Sequence, residues 1–318
     1  MTLFYDVFNG DADGICALHQ LRLETPRAAE LITGVKRDIA LLGRVKAAAG
    51  DEITVLDVSF ARNADAVAAA LQAGAKLRYF DHHYAGDIPA HANLAAMIDT
   101  GADVCTSLLV DQSLGGRRRI WAVVAAFGDN LVEPARRAAE TLHLAPHALA
   151  QLQELGECIN YNAYGESVDD LNYHPADLYQ AISAYADPFA FIAGEPVFDI
   201  LQQSRADDLY LANEIVPERA DEQMAVYVLP NARWSRRVNG PFANRLAVKY
   251  PARAHAILTW RAGGFAVSVR APLAAPRGAD ALCRQFDSGG GRAGAAGIDF
   301  LPQGELARFA DAFKQAYL

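Results

Sequence analysis

Apolar and polar positions alternate in blocks along the first hundred residues. Residues 2–8 (TLFYDVF) form an apolar run suited to a buried strand, and Asn9-Gly10-Asp11-Ala12-Asp13-Gly14 follows as a sharp acidic turn. Residues 15–21 open a helix that Pro26 ends. The same rhythm returns as a short strand at 31–35, a helix over 40–47, a β-branched strand at 53–56 closed by Asp57, an alanine-rich helix over 65–73 and a strand at 77–80. That last strand runs into Asp81-His82-His83. Strand and helix in alternation predict an α/β fold, a doubly wound and mainly parallel sheet with helices on both faces. Polar strand ends in such a sheet share one crevice.

Beyond residue 98 the pattern changes. A helix is expected around 108–110, and the apolar run 121–127 (WAVVAAF) ends in Gly128-Asp129-Asn130, which reads as one more strand end. Residues 145–192 are helical and rich in aromatics, with Asn160-Tyr161-Asn162-Ala163-Tyr164 as a polar-aromatic stretch that could line a cleft. The pattern loosens over 193–223, as expected of a linker. A smaller α/β unit then covers 224–318: a strand at 225–229, a helix over 239–248, a hairpin of 256–260 and 265–270, a helix over 279–286, a glycine-rich loop at 288–297 and a terminal helix from 306. The domains are therefore placed at 1–192 and 224–318.

Composition narrows the class. The chain has 318 residues, 52% of them hydrophobic and 21% charged, as in an ordinary soluble globular protein. A net charge of −9 argues against a general polyanion binder, so long duplex nucleic acid is not an expected partner. Cys16, Cys105, Cys158 and Cys283 are far apart with no CxxC pair, which excludes a zinc ribbon, argues against a disulfide framework and fits a reducing cytoplasm. No signal peptide and no membrane span are expected.

The chemistry lies in the acids. Asp11, Asp13, Asp57, Asp81 and Asp129 fall at successive element ends. Any one aspartate taken alone is most simply a helix N-cap. Together they would repel one another unless a cation joined them, and the imidazoles of His82 and His83 bias that cation toward a manganese-like metal.

In order, NGDADG, a strand-end Asp57, Asp81-His82-His83, Gly128-Asp129 and Gly289-Gly290-Gly291-Arg292 resemble the motifs of the DHH phosphoesterase superfamily, over nearly the whole chain. The resemblance implies a catalytic DHH domain and a smaller DHH-associated domain, with the active-site cleft between them. It also implies two divalent ions, Mn2+ first and Mg2+ or Co2+ as alternatives. By that resemblance Asp11 and Asp57 hold one ion, with Asn9 as a weaker oxygen donor. Asp13, Asp57, His82 and Asp129 hold the other. Asp81 orients the histidines from behind, and His83 faces the substrate as donor or general acid. Arg270, Gly289, Gly290, Gly291 and Arg292 bind the substrate phosphate. Two positions depart from the family pattern: Asn9 and Val7 stand where many relatives have histidine, and Arg292 stands where many have a histidine after the glycines.

The expected function is hydrolysis of phosphodiester or phosphomonoester bonds in small nucleotides or short single-stranded oligonucleotides by metal-activated water. Tyr84, Tyr161 and Tyr164 are the candidate stacking partners for a base. An exopolyphosphatase or pyrophosphatase is the alternative enzyme, and a nucleotide-binding regulator with a degraded first metal site is the non-enzymatic one. A homodimer is compatible with the resemblance.

Overall fold

In the computed structural model, which describes residues 2–317, the chain divides into two compact units, Met1–Gln203 and Ser204–Leu318. The first unit is built on β1 (Phe4–Phe8), β2 (Glu30–Ile32), β3 (Glu52–Leu56), β4 (Lys76–Asp81) and β5 (Leu94–Ile98). These strands form one sheet in the order β2-β1-β3-β4-β5, and every pairing is parallel. The helices are α1 (Ala12–Glu24), α2 (Phe60–Gln72), α3 (Thr106–Ser113), α4 (Arg119–Gly128), α5 (Val132–Ala139), α6 (Pro146–Asn162), α7 (Pro175–Ser183) and α8 (Pro188–Gly194). The unit boundary falls within α9 (Pro196–Asn213).

Alternation along the strands feeds two cores. Phe8, Leu56 and Phe80 pack with Ile15 and Leu18 of α1, Leu109 of α3, Trp121 of α4 and Leu155 of α6. Tyr5, Val7, Ile53, Val55, Leu77 and Tyr79 pack with Phe60 and Val67 of α2 on the other face. A parallel sheet needs this cover on both sides, because its strands are apolar on both. The doubly wound fold is the one that the sequence predicts.

The second unit is a six-stranded sheet in the order β10-β11-β9-β8-β7-β6, with β6 (Arg219–Ala220), β7 (Met224–Leu229), β8 (Ala254–Arg261), β9 (Gly264–Arg270), β10 (Gly289–Arg292) and β11 (Ala295–Pro302). Helix α10 (Arg233–Lys249) joins the parallel pair β7 and β8, and the remaining helices are α11 (Ala279–Cys283) and α12 (Leu306–Tyr317). Phe265, Val267 and Val269 of β9 pack with Phe309 and Phe313 of α12. All four cysteines are buried thiols outside any disulfide. Among the described residues no helix is long and apolar enough to cross a membrane.

Several local expectations give way. Residues 121–127 are helix α4, not a strand; Trp121–Phe127 are buried on every side, and a continuous apolar run carries no period to tell the two apart. The expected helix over 40–47 is a single 3-10 turn, Leu41–Arg44. Strand β5 is not announced by its alanine-rich sequence. The expected linker at 193–223 contains the 18-residue helix α9. Pro146, Pro175 and Pro188 each sit at the start of a helix, where the missing N–H costs nothing. The helix expected over 239–248 starts earlier, at Arg233, with Pro241 inside it. The glycine-rich loop is the hairpin of β10 and β11.

Helices α4 and α6 cross backbone to backbone, because a Cβ on Gly156 would run into the Val124 carbonyl oxygen. Gly156→Ala is expected to lower the stability of the first unit by about 1–3 kcal/mol through overpacking, read as a lower urea midpoint. An unchanged midpoint would show that the crossing is slack.

Candidate metal centre

Strand register gathers the first part of the site. Phe8 pairs with Leu56, and Leu56 with Phe80. Asn9, Asp57 and Asp81 therefore stand side by side one residue further on. The backbone ladder continues there, with Asn9 N–H donating to Leu56 O at 3.2 Å and Asp57 N–H to Phe80 O at 3.0 Å. Strands β2 and β3 flank β1 on opposite sides, so the winding reverses between β1 and β3, where ligands collect in open parallel sheets. Asp57 has a left-handed backbone, φ 58°. Aspartate is one of the few residues that tolerates this, at a cost of roughly 1–2 kcal/mol.

His82 is the hub. Its Nε2 lies 3.4 Å from Asp57 Oδ1, 3.9 Å from Asp129 Oδ2 and 4.0 Å from Asp13 Oδ2. These groups come from β3, from the residue that caps the C-terminus of α4, and from the first turn of α1. Asp57, His82 and His83 also offer ligand atoms that all lie within 4.8 Å of one another. Asp13 is held by the start of α3, its two oxygens accepting from Thr106 N–H and Ser107 N–H at 2.7 Å each. Each oxygen keeps a lone pair for a cation. Thr106 Oγ1 donates to Asp57 Oδ1 at 3.1 Å.

Asp81 is fully buried behind the histidines. Its Oδ1 accepts from the His82 backbone N–H at 2.9 Å and lies 2.7 Å from His83 Nδ1, while Oδ2 accepts from Phe60 N–H at the start of α2. The His83 side chain remains 40% accessible, against 14% for His82.

Asp11 is a helix cap, as a lone aspartate in such a turn often is. Its Oδ1 accepts from Asp13 N–H at 3.0 Å and Gly14 N–H at 3.1 Å. Its Oδ2 is paired with the Lys36 ammonium. Lys36 is the residue that sequence reasoning missed. It follows β2 and carries no motif; its only signal is a cation just past a strand end in a crevice of acids. Lys36 Nζ also donates to Asp129 Oδ1 at 3.1 Å and Asn160 Oδ1 at 3.2 Å. Its backbone is pinned too, the N–H donating to Ala163 O at 2.9 Å and the carbonyl accepting from Asn9 Nδ2 at 3.0 Å. Asn9 Oδ1 in turn accepts from Asp11 N–H at 3.3 Å. Gly10 lets this loop approach, since a Cβ there would run into the Gly34 carbonyl oxygen.

Burial is the main force on the acids. It raises the Asp57 carboxyl well above its usual range, and repulsion from Asp13, Asp11 and Asp129 adds to the rise. Burial also raises Asp13, with His82 pulling the other way and Asp129 and Asp11 adding to the rise. Asp11 is likewise pushed up by burial, but the Lys36 charge and hydrogen bonds outweigh this and hold it below the usual range. Burial opposes charge on Lys36, yet Asp11 and Asp129 overcome it and raise its ammonium well above the ordinary lysine value. Burial likewise works against protonated His83, and the hydrogen bond and charge of Asp81 carry its value upward. A second cation close to this lysine meets real repulsion: two unit charges 4 Å apart at an effective dielectric near 20 cost about 4 kcal/mol, and a divalent ion about twice that.

The donor set around His82 fits a divalent ion, with carboxylate oxygens and one imidazole facing a common point. The set around Asp11 fits less well, because Lys36 already fills it. Tyr161 is buried and cannot stack on a base; Tyr164 is half-buried, with its hydroxyl 3.2 Å from Asn160 Nδ2. Tyr84 is 78% exposed.

In the second unit, cross-strand pairing sets Arg270, Ala295 and Arg292 in one row on one face of the sheet. Two strand spacings separate the arginines, about 10 Å. Gly290 pairs with Gly297 in a parallel row on that face, with open space above Gly290, while Gly289 and Gly291 turn to the other face. Arg270 Nε donates to Asn244 Oδ1 of α10 at 2.7 Å, and Arg292 is exposed.

No family model matches the sequence, and no curated protein matches it. Solved structures do. The exonuclease RecJ bound to manganese superposes with a TM-score of 0.63 at 15% identity, over 98% of this chain and 89% of that one. A pGpG-specific phosphodiesterase, PggH from Vibrio cholerae, gives 0.56 at 13% identity over 99% and 98%. An exopolyphosphatase-related protein from Bacteroides fragilis gives 0.51 at 13% over 99% and 91%. These likenesses are of fold.

Asp57 ties its charge to stability. The native state keeps the Asp57 proton at pH values where an unfolded aspartate, near 3.9, has lost it. That contribution is present below the unfolded value and is lost as pH rises through the raised native one. Asp57→Asn, whose amide also tolerates a positive φ, is therefore expected to raise the stability of metal-free protein at pH 8 by about 1–3 kcal/mol. The gain should shrink toward pH 5. Equal melting temperatures of variant and wild type at pH 8, both stripped with chelator, would refute the charge burial.

Proposed function

We propose, for a chain with the fold of the DHH phosphoesterases and their motifs in order, that it hydrolyses phosphate esters of small nucleotides or short oligonucleotides with a divalent ion held by Asp13, Asp57, His82 and Asp129. Manganese suits the mixed oxygen and nitrogen donors best, with magnesium or cobalt as substitutes. One observation carries the reading: three carboxylates from three separate elements converge within 4.0 Å of His82 Nε2 at the reversal point of the sheet.

When bound, such an ion neutralises developing charge on a phosphoryl group and lowers the pKa of water. The residues of the chain do the rest. Asp57 and Asp13 set the ligand positions, fixed by Thr106 and the α3 N-terminus. His83, steadied by Asp81 and partly open to solvent, is the proton donor toward the leaving oxygen. Tyr84, exposed directly after the DHH triplet, offers a stacking face to a base and favours nucleotides over polyphosphate. The row of Arg270 and Arg292 beside Gly290 and Gly297 is suited to a phosphate, since arginine forks bind it bidentately and glycine leaves the backbone open. The overall acidity of the chain argues for a short substrate.

Purified protein with manganese is expected to turn over bis-p-nitrophenyl phosphate and at least one of adenosine bisphosphate or the di- to pentanucleotides. Absence of turnover on all of these would sink the reading, and turnover of polyphosphate alone would replace it with the phosphoanhydride alternative. His83→Ala should lower kcat by roughly 10²–10⁴-fold. Arg292→Ala should act mainly on KM, raising it roughly tenfold or more through a lost charged hydrogen bond; an unchanged KM would remove Arg292 from the substrate site.

A further inference from the structure

A two-ion site needs two sets of free ligands, and only one is present. Around His82, Asp13 keeps a lone pair on each oxygen, and Asp57 and Asp129 turn oxygens toward the ring nitrogen. Around Asp11 the count is different. Asp11 Oδ1 already accepts from Asp13 N–H and Gly14 N–H, which takes both its lone pairs, and its Oδ2 is paired with the Lys36 ammonium, which stands where a cation would. Asn9, the remaining donor on that side, has its amide oxygen on Asp11 N–H and its amide nitrogen on the Lys36 carbonyl. It holds the lysine, and the one lone pair left on its oxygen is a single neutral donor beside a fixed ammonium.

Lys36 is not a loose surface cation that an ion could push aside. An ammonium has three donors, and Asp11, Asp129 and Asn160 take all three. Its backbone N–H and carbonyl are bonded to two different parts of the unit, the end of α6 and Asn9. Asp129 joins the two halves of the site, with Oδ1 on Lys36 and Oδ2 toward His82.

We infer that the protein binds one divalent ion, at the His82 side, and that the Lys36 ammonium permanently takes the place of the second. This rests on the hydrolase reading only in placing the one ion. Lys36 is then a positioning residue: it neutralises Asp11 and fixes Asp129, and it spends no donor on the substrate.

The count is measurable without activity. Wild-type protein equilibrated with excess manganese and desalted is expected to carry one manganese per chain by elemental analysis, with the six-line electron paramagnetic resonance spectrum of an isolated ion. Lys36→Met, which keeps length and removes charge, is expected to carry two, with the broadened spectrum of a coupled pair. Lys36→Gln serves if the methionine variant does not fold. Two manganese ions on the wild type, or a coupled spectrum, overturns the inference, whatever the variants do; so does a folded Lys36 variant that stays at one. Turnover separates this from the functional reading: one bound manganese with no hydrolysis defeats the hydrolase and leaves the count standing, while two with hydrolysis does the reverse.

Discussion

Four carboxylates share one buried corner of this protein, and the first unit is arranged around keeping them there. Asp11, Asp13 and Asp57 are each at most 2% exposed, and Asp129 faces them. Like charges in a dry crevice repel strongly. Each is met by a different device. Asp11 caps α1 and pairs with Lys36. Asp13 takes the first N–H groups of α3, where the helix dipole favours a negative charge. Asp129 shares Lys36. Asp57 receives one hydroxyl bond and carries the largest unmet demand, on a backbone bent into the left-handed region. Its place at the centre is what makes the site want a cation.

The lysine changes the character of the site. It ties the loop after β2 to the end of α6 and to the first turn after β1, so three stretches far apart in sequence are locked by one residue. That arrangement depends on Gly10 allowing the two loops to touch. A fixed ammonium cannot leave or exchange as an ion can, so the charge on the Asp11 side does not vary with metal supply. Asn9 supports this arrangement, its amide nitrogen donating to the Lys36 carbonyl.

The second unit contributes a different surface. Its glycines serve as strand residues in a hairpin rather than as a flexible loop. Regular pairing fixes Arg292 relative to Arg270 through Ala295. Two arginines held in register on one face form a more defined cationic surface than a mobile turn would.

The doubly wound fold and the gathering of Asp57, His82 and His83 at strand ends were legible in the sequence, because burial on both faces forces apolar runs and polar residues at strand ends stand out against them. The ordered motifs did the same for Asp11, Asp13 and Asp129, although Asp129 caps a helix instead of ending a strand. The alanine-rich β5, the helix α4 and the helix hidden in the supposed linker were not legible, since short apolar runs and prolines at helix starts carry no unique period. Sequence alone placed Asp57 and Asp81-His82-His83 at strand ends, which share one side of a parallel sheet, whereas Asp13 and Asp129 reach them from helices. Only the tertiary structure decided that Lys36 meets them too. That contact depends on how one loop folds back across a glycine, and no spacing along the chain records it.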